Sequence, residues 1–372
     1  MPVTNDYITP EGLDFLNEQV TSLRRTADRA LRLDDRRLPT YNWMVRNARS
    51  LHSVGGGYRT EVKGNRQQEE EAWDGADTLT FQNHITPFPL RFTVGKTHYG
   101  NTEQYDYLER LGISIKYGAK PGERGTAKAA EVVLNYLKEN YDDIMESKRR
   151  SRARRLMTAN SDKPKFYMGL DALIPVDSNT TGTIGGADRS YALLQHILVP
   201  DVDLTNLWLA SHRTNRELNR YAAGSMQRYV VCGDNFYDML VAAYSPNANG
   251  VYNAATVPRG YDIQLGYAEA RRMADKFKIG LPGEAFVDPE GNLIVNDQLF
   301  RDLDEWENPA IQWSDRCYYL SEHMKLFIEK QDEYVNHGMA RDQVVCHESW
   351  FSTMCLTLRA PRSCAVMLRK TS

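Results

Sequence analysis

Residues 77–117 read DTLTFQNHITPFPLRFTVGKTHYGNTEQYDYLERLGISIKY, a run of strand-forming residues that leads straight into one of the longest helical patterns of the chain. Thr, Val, Ile, Phe and Tyr recur through it, Pro87 and Pro89 rule out a continuous helix, and Gly95 and Gly100 mark bends. Read as one extended β-hairpin from Asp77 to Tyr117, it offers more backbone edge than a small core can cover. Such an edge is expected to pair with another chain, and a neighbouring copy of the same chain is a natural partner.

Downstream, Gly118 to Gly125 is a loop, and Thr126 to about Ala159 forms a single helical pattern with an apolar stripe of Ala130, Val133, Leu134, Leu137, Tyr141, Ile144 and Met145. At about 1.5 Å per residue it would make a rod of roughly 50 Å. Its end carries Lys148, Arg149, Arg150, Arg152, Arg154 and Arg155. Two readings stay open: cations that suit the helix macrodipole, or a basic stripe that faces nucleic acid without sequence preference. Upstream, Thr9 and Pro10 start a helix whose second half is crowded by Arg24, Arg25, Arg29, Arg32, Arg36 and Arg37, either a solvated face or a contact with an acidic partner. Ser53 to Glu71 reads as an extended arm or linker with no core of its own.

The rest alternates short strands and helices. Asp203 or Thr205 opens a helix with Leu207, Trp208, Leu218 and Tyr221. RYVVC (228–232) reads as a short buried strand and NFYDMLVAAY (235–244) as a helix with Phe236, Leu240 and Ala243 inward, which together suggest an α/β core. Asn247 to Gly260 reads as a surface loop, and the chain from Cys317 onward is strand-rich.

The 372 residues suffice for two ordinary domains or one large domain with extensions, and 41% hydrophobic with 26% charged residues is a globular composition. No apolar run approaches a membrane span, and the N-terminus lacks the basic start and apolar core of a secretory signal. A net charge of −3 gives no global pull toward nucleic acid or acidic membranes. Five cysteines without a C-x-x-C pair argue against a disulfide framework or a zinc site and read as buried free thiols.

No nucleotide-binding, metalloprotease or serine-hydrolase motif occurs, and the eight histidines lack ligand spacing. No catalytic residue, metal or cofactor is therefore assigned. The glycine-rich TTGTIGGADRS (180–190) lacks the strand-to-helix context of a phosphate loop. It reads instead as a tight turn at Gly185 and Gly186, with Asp188 and Arg189 as a local or inter-chain ion pair.

The succession of this β arm, a long helix, GLDALIPVD (169–177), TGTIGGADRS (181–190) and VVCGDNFYDML (230–240) resembles the major capsid proteins of tailed bacteriophages with the Hong Kong 97 fold. The resemblance implies an α+β chain with an N-terminal arm (1–72), an E-loop (73–117), a peripheral domain (118–165 and 316–372) with a spine helix at about 126–159, and an axial domain (166–315). Phe88, Leu90, Phe92, Lys96, His98 and Tyr99 of the E-loop would then lie against an adjacent subunit, and the basic end of the spine helix would face packaged DNA. Copies of the chain would form pentamers and hexamers of an icosahedral head in the virion, assembled in the host cytoplasm. The implied partners are a portal protein, a separate scaffolding protein or none, and decoration proteins, with no membrane. The competing readings are a nucleic-acid-binding protein that uses the Arg-rich helices, and the shell protein of a cellular nanocompartment.

Overall fold

A computed structural model describes residues 38–50, 57–62, 88–104, 144–161, 163, 165–221, 228–245, 261, 263–277, 284–339 and 345–370. The N-terminal Arg-rich helix, the first part of the expected spine helix and the loop 247–260 lie outside the described residues. In chain order the described elements are α1 (Pro39–Arg46), β1 (Arg49–Ser50), β2 (Gly57–Val62), β3 (Phe88–Thr93), β4 (Gly95–Gln104), α2 (144–157), α3 (Leu170–Leu173), β5 (Thr183–Ile184), β6 (Ala187–Asp188), β7 (Ile197–Val202), α4 (Leu207–Tyr221), β8 (Tyr229–Cys232), α5 (Asp234–Tyr244), α6 (Ile263–Phe277), β9 (Ala285–Val287), β10 (Leu293–Asn296), α7 (Leu299–Glu307), β11 (Arg316–Leu320), β12 (Met324–Met339), β13 (Val345–Leu358) and β14 (Ala365–Arg369). They divide into two compact units.

The larger unit, residues 36–95, 154–329 and 354–372, is built on a six-stranded mixed sheet in the order β7-β14-β11-β8-β10-β9. Its central strands are apolar on both faces because helices cover both. On β8, Val230 and Cys232 share one side with Cys317 and Tyr319 of β11, and there they join Leu207 and Leu218 of α4, Phe236 and Leu240 of α5 and Ile263 of α6 in one buried cluster. The alternate residues, Tyr229 and Tyr318, turn to the opposite face, as the two-residue period of a strand requires. There Trp43 of α1 stacks on Tyr229 at 4.9 Å, and Phe300 of α7 and Trp313 each approach Tyr318 at 6.1 Å. This double burial is why YVVC reads as an unbroken apolar run.

Two boundaries expected from the sequence change. β11 and β14, assigned to a peripheral sheet, are central strands of this α/β sheet. Ser53 to Glu71, read as an extended arm or linker with no core of its own, contains the extended strand β2, which does join the core: Val62 is buried and Tyr58 stacks on Phe327 at 4.4 Å.

The smaller unit comprises the described parts of 96–153 and 330–353. β12 and β13 are long enough to contribute residues to both units, and they form a four-stranded sheet in the order β1-β12-β13-β4. In the smaller unit Thr97 of β4 donates to the Ser352 carbonyl at 3.4 Å, while Tyr334 of β12 donates to Glu348 of β13 at 2.8 Å. The first part of α2 lies over this sheet through Arg152, which donates to the Ser352 hydroxyl at 2.7 Å, and Lys148, whose ammonium sits 5.3 Å from the Trp350 ring centre.

Candidate functional site

The arm that was read as one hairpin from Asp77 to Tyr117 splits at Gly95. β3 runs antiparallel to β2, with Gly57 opposite Thr93 and Val62 opposite Phe88, whereas β4 joins the sheet beside β13. Gly95 is required at the switch, since a Cβ there would fall 2.5 Å from the Tyr167 amide nitrogen. The hairpin is therefore β2–β3, with residues 63–87 between its strands. A strand's own alternation encodes which face is buried but not which strand it pairs with, and GYRTEV (57–62) was hidden by the polar run that follows it.

Burial along this hairpin alternates. Leu90 and Phe92 are almost wholly covered, at 0% and 1% exposure, by the chain's own fold. This corrects the expectation that they face a neighbouring subunit. The opposite face, with Arg59, Glu61, Pro89, Arg91 and Thr93, is exposed, and Arg59 stands directly opposite Arg91. The base of the hairpin is held by Tyr58, whose ring stacks on Phe327 and lies 5.8 Å from the Arg359 guanidinium, and whose hydroxyl accepts from Arg359. Phe88 is the first residue of β3.

What covers Leu90 is the glycine-rich turn. β5 and β6 form a two-residue hairpin at Gly185 and Gly186, both with positive φ (56° and 83°), the conformation that a tight primed turn demands. The Gly185 carbonyl accepts the Arg91 amide at 2.7 Å, which fixes the turn to β3. Asp188 and Arg189 do not pair with each other. Asp188 accepts the Ser190 amide at 2.9 Å, whereas Arg189 turns inward and donates to the carbonyls of Ala172 and Leu173 at 2.8 and 2.9 Å. Among the described residues Arg189 has no carboxylate partner, and burial lowers its pKa to about 10. Burial and this guanidinium together hold His196 down to about 4, so the imidazole beside it is neutral. The orphan carbonyls at the end of α3 are the reason for this buried cation: they are capped by it.

On β4, Lys96 and His98 are exposed, His98 lies 6.0 Å from the Phe351 ring, and Tyr99 donates to the Ser147 hydroxyl at 3.1 Å. The basic residues of α2 have partners within the chain. Lys148 is buried over Trp350, Arg150 pairs with Glu146 at 2.9 Å, Arg152 binds Ser352, and Arg154 and Arg155 lie 4.9 and 5.2 Å from the Trp306 ring centre. Arg149 is half-buried. These contacts with Trp350, Ser352, Glu146 and Trp306 orient the cations along α2. Sequence spacing indicated the stripe but not its aromatic anchors, because Trp306 and Trp350 are distant in the chain.

Two buried carboxylates hold elements together. Asp297 accepts the Thr40 amide of α1 at 3.2 Å and the Leu299 amide of α7 at 3.0 Å, and Asp288 accepts the Asn292 amide at 2.7 Å in the turn between β9 and β10. Burial raises the pKa of each to about 6, partly offset by these bonds. Among the described residues no group of three or more His, Cys, Asp or Glu could hold a metal ion, and no helix is long and apolar enough to cross a membrane.

No protein-family model matches the chain, and no curated protein matches it in sequence. Solved structures do match. The chain aligns over 91% of its length, and 95% of the other chain, with a protein of the cyanophage A-1(L) capsid asymmetric unit, at a TM-score of 0.52 and 13% identity. A chain of Mycobacterium phage Adephagia aligns at 0.50 and 8% identity, covering 89% of this chain and 91% of that one. The chain thus has the α+β fold of phage capsid structures.

Proposed function

We propose that the chain is the major capsid protein of a tailed phage, a structural subunit that assembles with copies of itself into pentamers and hexamers of an icosahedral head around double-stranded DNA. The observation that carries this reading is the near full-length agreement of fold with the cyanophage capsid chain. Closed shells need heterologous contacts that repeat around five- and six-fold axes. The β2–β3 hairpin with residues 63–87 supplies the E-loop of this reading, in place of Asp77–Tyr117. Its exposed charged face, Arg59, Glu61 and Arg91, meets the adjacent subunit, while Leu90 and Phe92 fix its root. Lys96, His98 and Tyr99 on β4 form a second contact, and the basic residues of α2, Lys148, Arg149, Arg150, Arg152, Arg154 and Arg155, lie toward the packaged DNA. A portal protein and separate scaffolding or decoration proteins complete the partners, in a virion assembled in the host cytoplasm.

Charge reversal at Arg59 and Arg91 together tests the reading. The variant is expected to stay folded, by circular dichroism and thermal melting, and to lose closed particles in negative-stain electron microscopy. Normal particles from this variant would contradict the assigned contact face. A nanocompartment shell would give particles as well, and is distinguished by enclosed protein in place of DNA.

A further inference from the structure

β8 and β11 set Cys232 directly opposite Cys317 on adjacent antiparallel strands. The next pair along, Gly233 with Arg316, is a hydrogen-bonded one, since the Gly233 amide donates to the Arg316 carbonyl at 3.1 Å. Bonded and open pairs alternate along an antiparallel ladder, so the cysteines occupy an open pair, with α carbons about 4.5 Å apart and side chains at their closest. The Cys232 carbonyl gives the same phase independently, because it turns away from β11 to accept the Asp297 amide at 3.1 Å. Both side chains are fully buried on one face of the sheet, and the Cys232 thiol donates to the Val295 carbonyl at 3.6 Å. A disulfide requires α carbons roughly 4.4–6.8 Å apart, which this pair meets where it stands. The other described cysteines lie elsewhere: Cys364 contacts the Ser321 hydroxyl at 3.4 Å, and Cys346 and Cys355 lie on β13.

We propose that Cys232 and Cys317 form one oxidisable dithiol, a site for an intrachain disulfide that fastens β8 to β11 without displacing either strand. With a small-molecule disulfide as oxidant, one deprotonated cysteine attacks a reagent sulfur and releases a reagent thiolate. The second deprotonated cysteine attacks the mixed disulfide and releases the other. Two cysteine S–H bonds are lost, the Cys232–Cys317 bond forms, and the reagent leaves as two thiols that carry both protons. Burial raises the Cys232 pKa well above the ordinary thiol range, so in the closed sheet the thiolate is scarce as well as shielded. Exchange is therefore confined to chains whose sheet is forming or has opened locally. The bond closes a long loop of sequence and restricts the unfolded chain.

The test refolds the full chain from denaturant with oxidised glutathione, or with a reductant in parallel, then alkylates free thiols and reads masses. The oxidised sample is expected to lose two of its five alkylatable cysteines, to yield a reducible peptide pair that joins Cys232 to Cys317, and to unfold at a higher denaturant midpoint. The folded, reduced chain should resist the same reagent. C232A and C317A should each abolish the linked peptide and leave the remaining partner alkylatable. Five alkylated cysteines after oxidative refolding, a link through another cysteine, or a lowered midpoint in the linked chain would overturn the proposal.

Discussion

Gly185 lies directly against Leu90: a Cβ on residue 185 would fall 3.0 Å from the Leu90 Cβ, and the Gly185 carbonyl already accepts the neighbouring Arg91 amide. The glycine-rich turn is thus the lock that seats the root of the β2–β3 hairpin in the larger unit. Gly185→Ala must adopt a positive φ of 56° and crowd backbone as well as side chain. It is expected to cost about 1–3 kcal/mol in chemical denaturation. Gly186→Ala, with nothing near its Cβ position, should cost only the conformational part.

Leu90 and Phe92 are root residues, not contact residues. Leu90→Ala and Phe92→Ala are each expected to destabilise the isolated subunit by ~2–5 kcal/mol, measured by urea unfolding under conditions that hold the chain monomeric. An unchanged stability together with failed assembly would instead restore these side chains to an interface.

Stability should depend on pH in a defined window. Asp288 and Asp297 rise from the ordinary 3.8 to about 6, so the native chain holds their protons more tightly than the unfolded one. Their contribution is full below about 3.8 and is lost as pH rises through about 6, with a slope of at most ~1.4 kcal/mol per pH unit for each group. Asp297→Asn should flatten its share of that slope in denaturation curves taken from pH 4 to 7. At neutral pH it relieves a buried charge but leaves one of the two amides, from Thr40 or Leu299, without an acceptor.

Arg316 is buried and donates to Asp171 at 3.1 Å and twice to the Ile311 carbonyl, with its guanidinium over Trp313 at 4.1 Å. Removing the acid leaves that cation without its carboxylate. Asp171→Ala is expected to cost about 3–5 kcal/mol, and the double change with Arg316→Met much less than the sum of the two single changes, in a double-mutant cycle.

The core was legible in the sequence because its elements carry their own period. RYVVC, NFYDMLVAAY and the strands from Cys317 onward stand where their apolar spacing put them. Pairing was not legible. β2 and β4 each depend on a partner far along the chain, so the hairpin was assigned a strand too late and Leu90 and Phe92 were given to a neighbour. Arg189 misled for a similar reason: next to Asp188 in sequence, it meets the carbonyls of Ala172 and Leu173 in space. The resemblance to capsid proteins rested on the order of elements, which survives such errors of register.

Self-assembly is decided by negative-stain electron microscopy of the purified 372-residue chain, with light scattering of the same sample. Closed, uniform particles far larger than a single 372-residue chain are expected, with five- and six-fold capsomers in averaged images. A monodisperse monomer that persists across concentration and salt would contradict it.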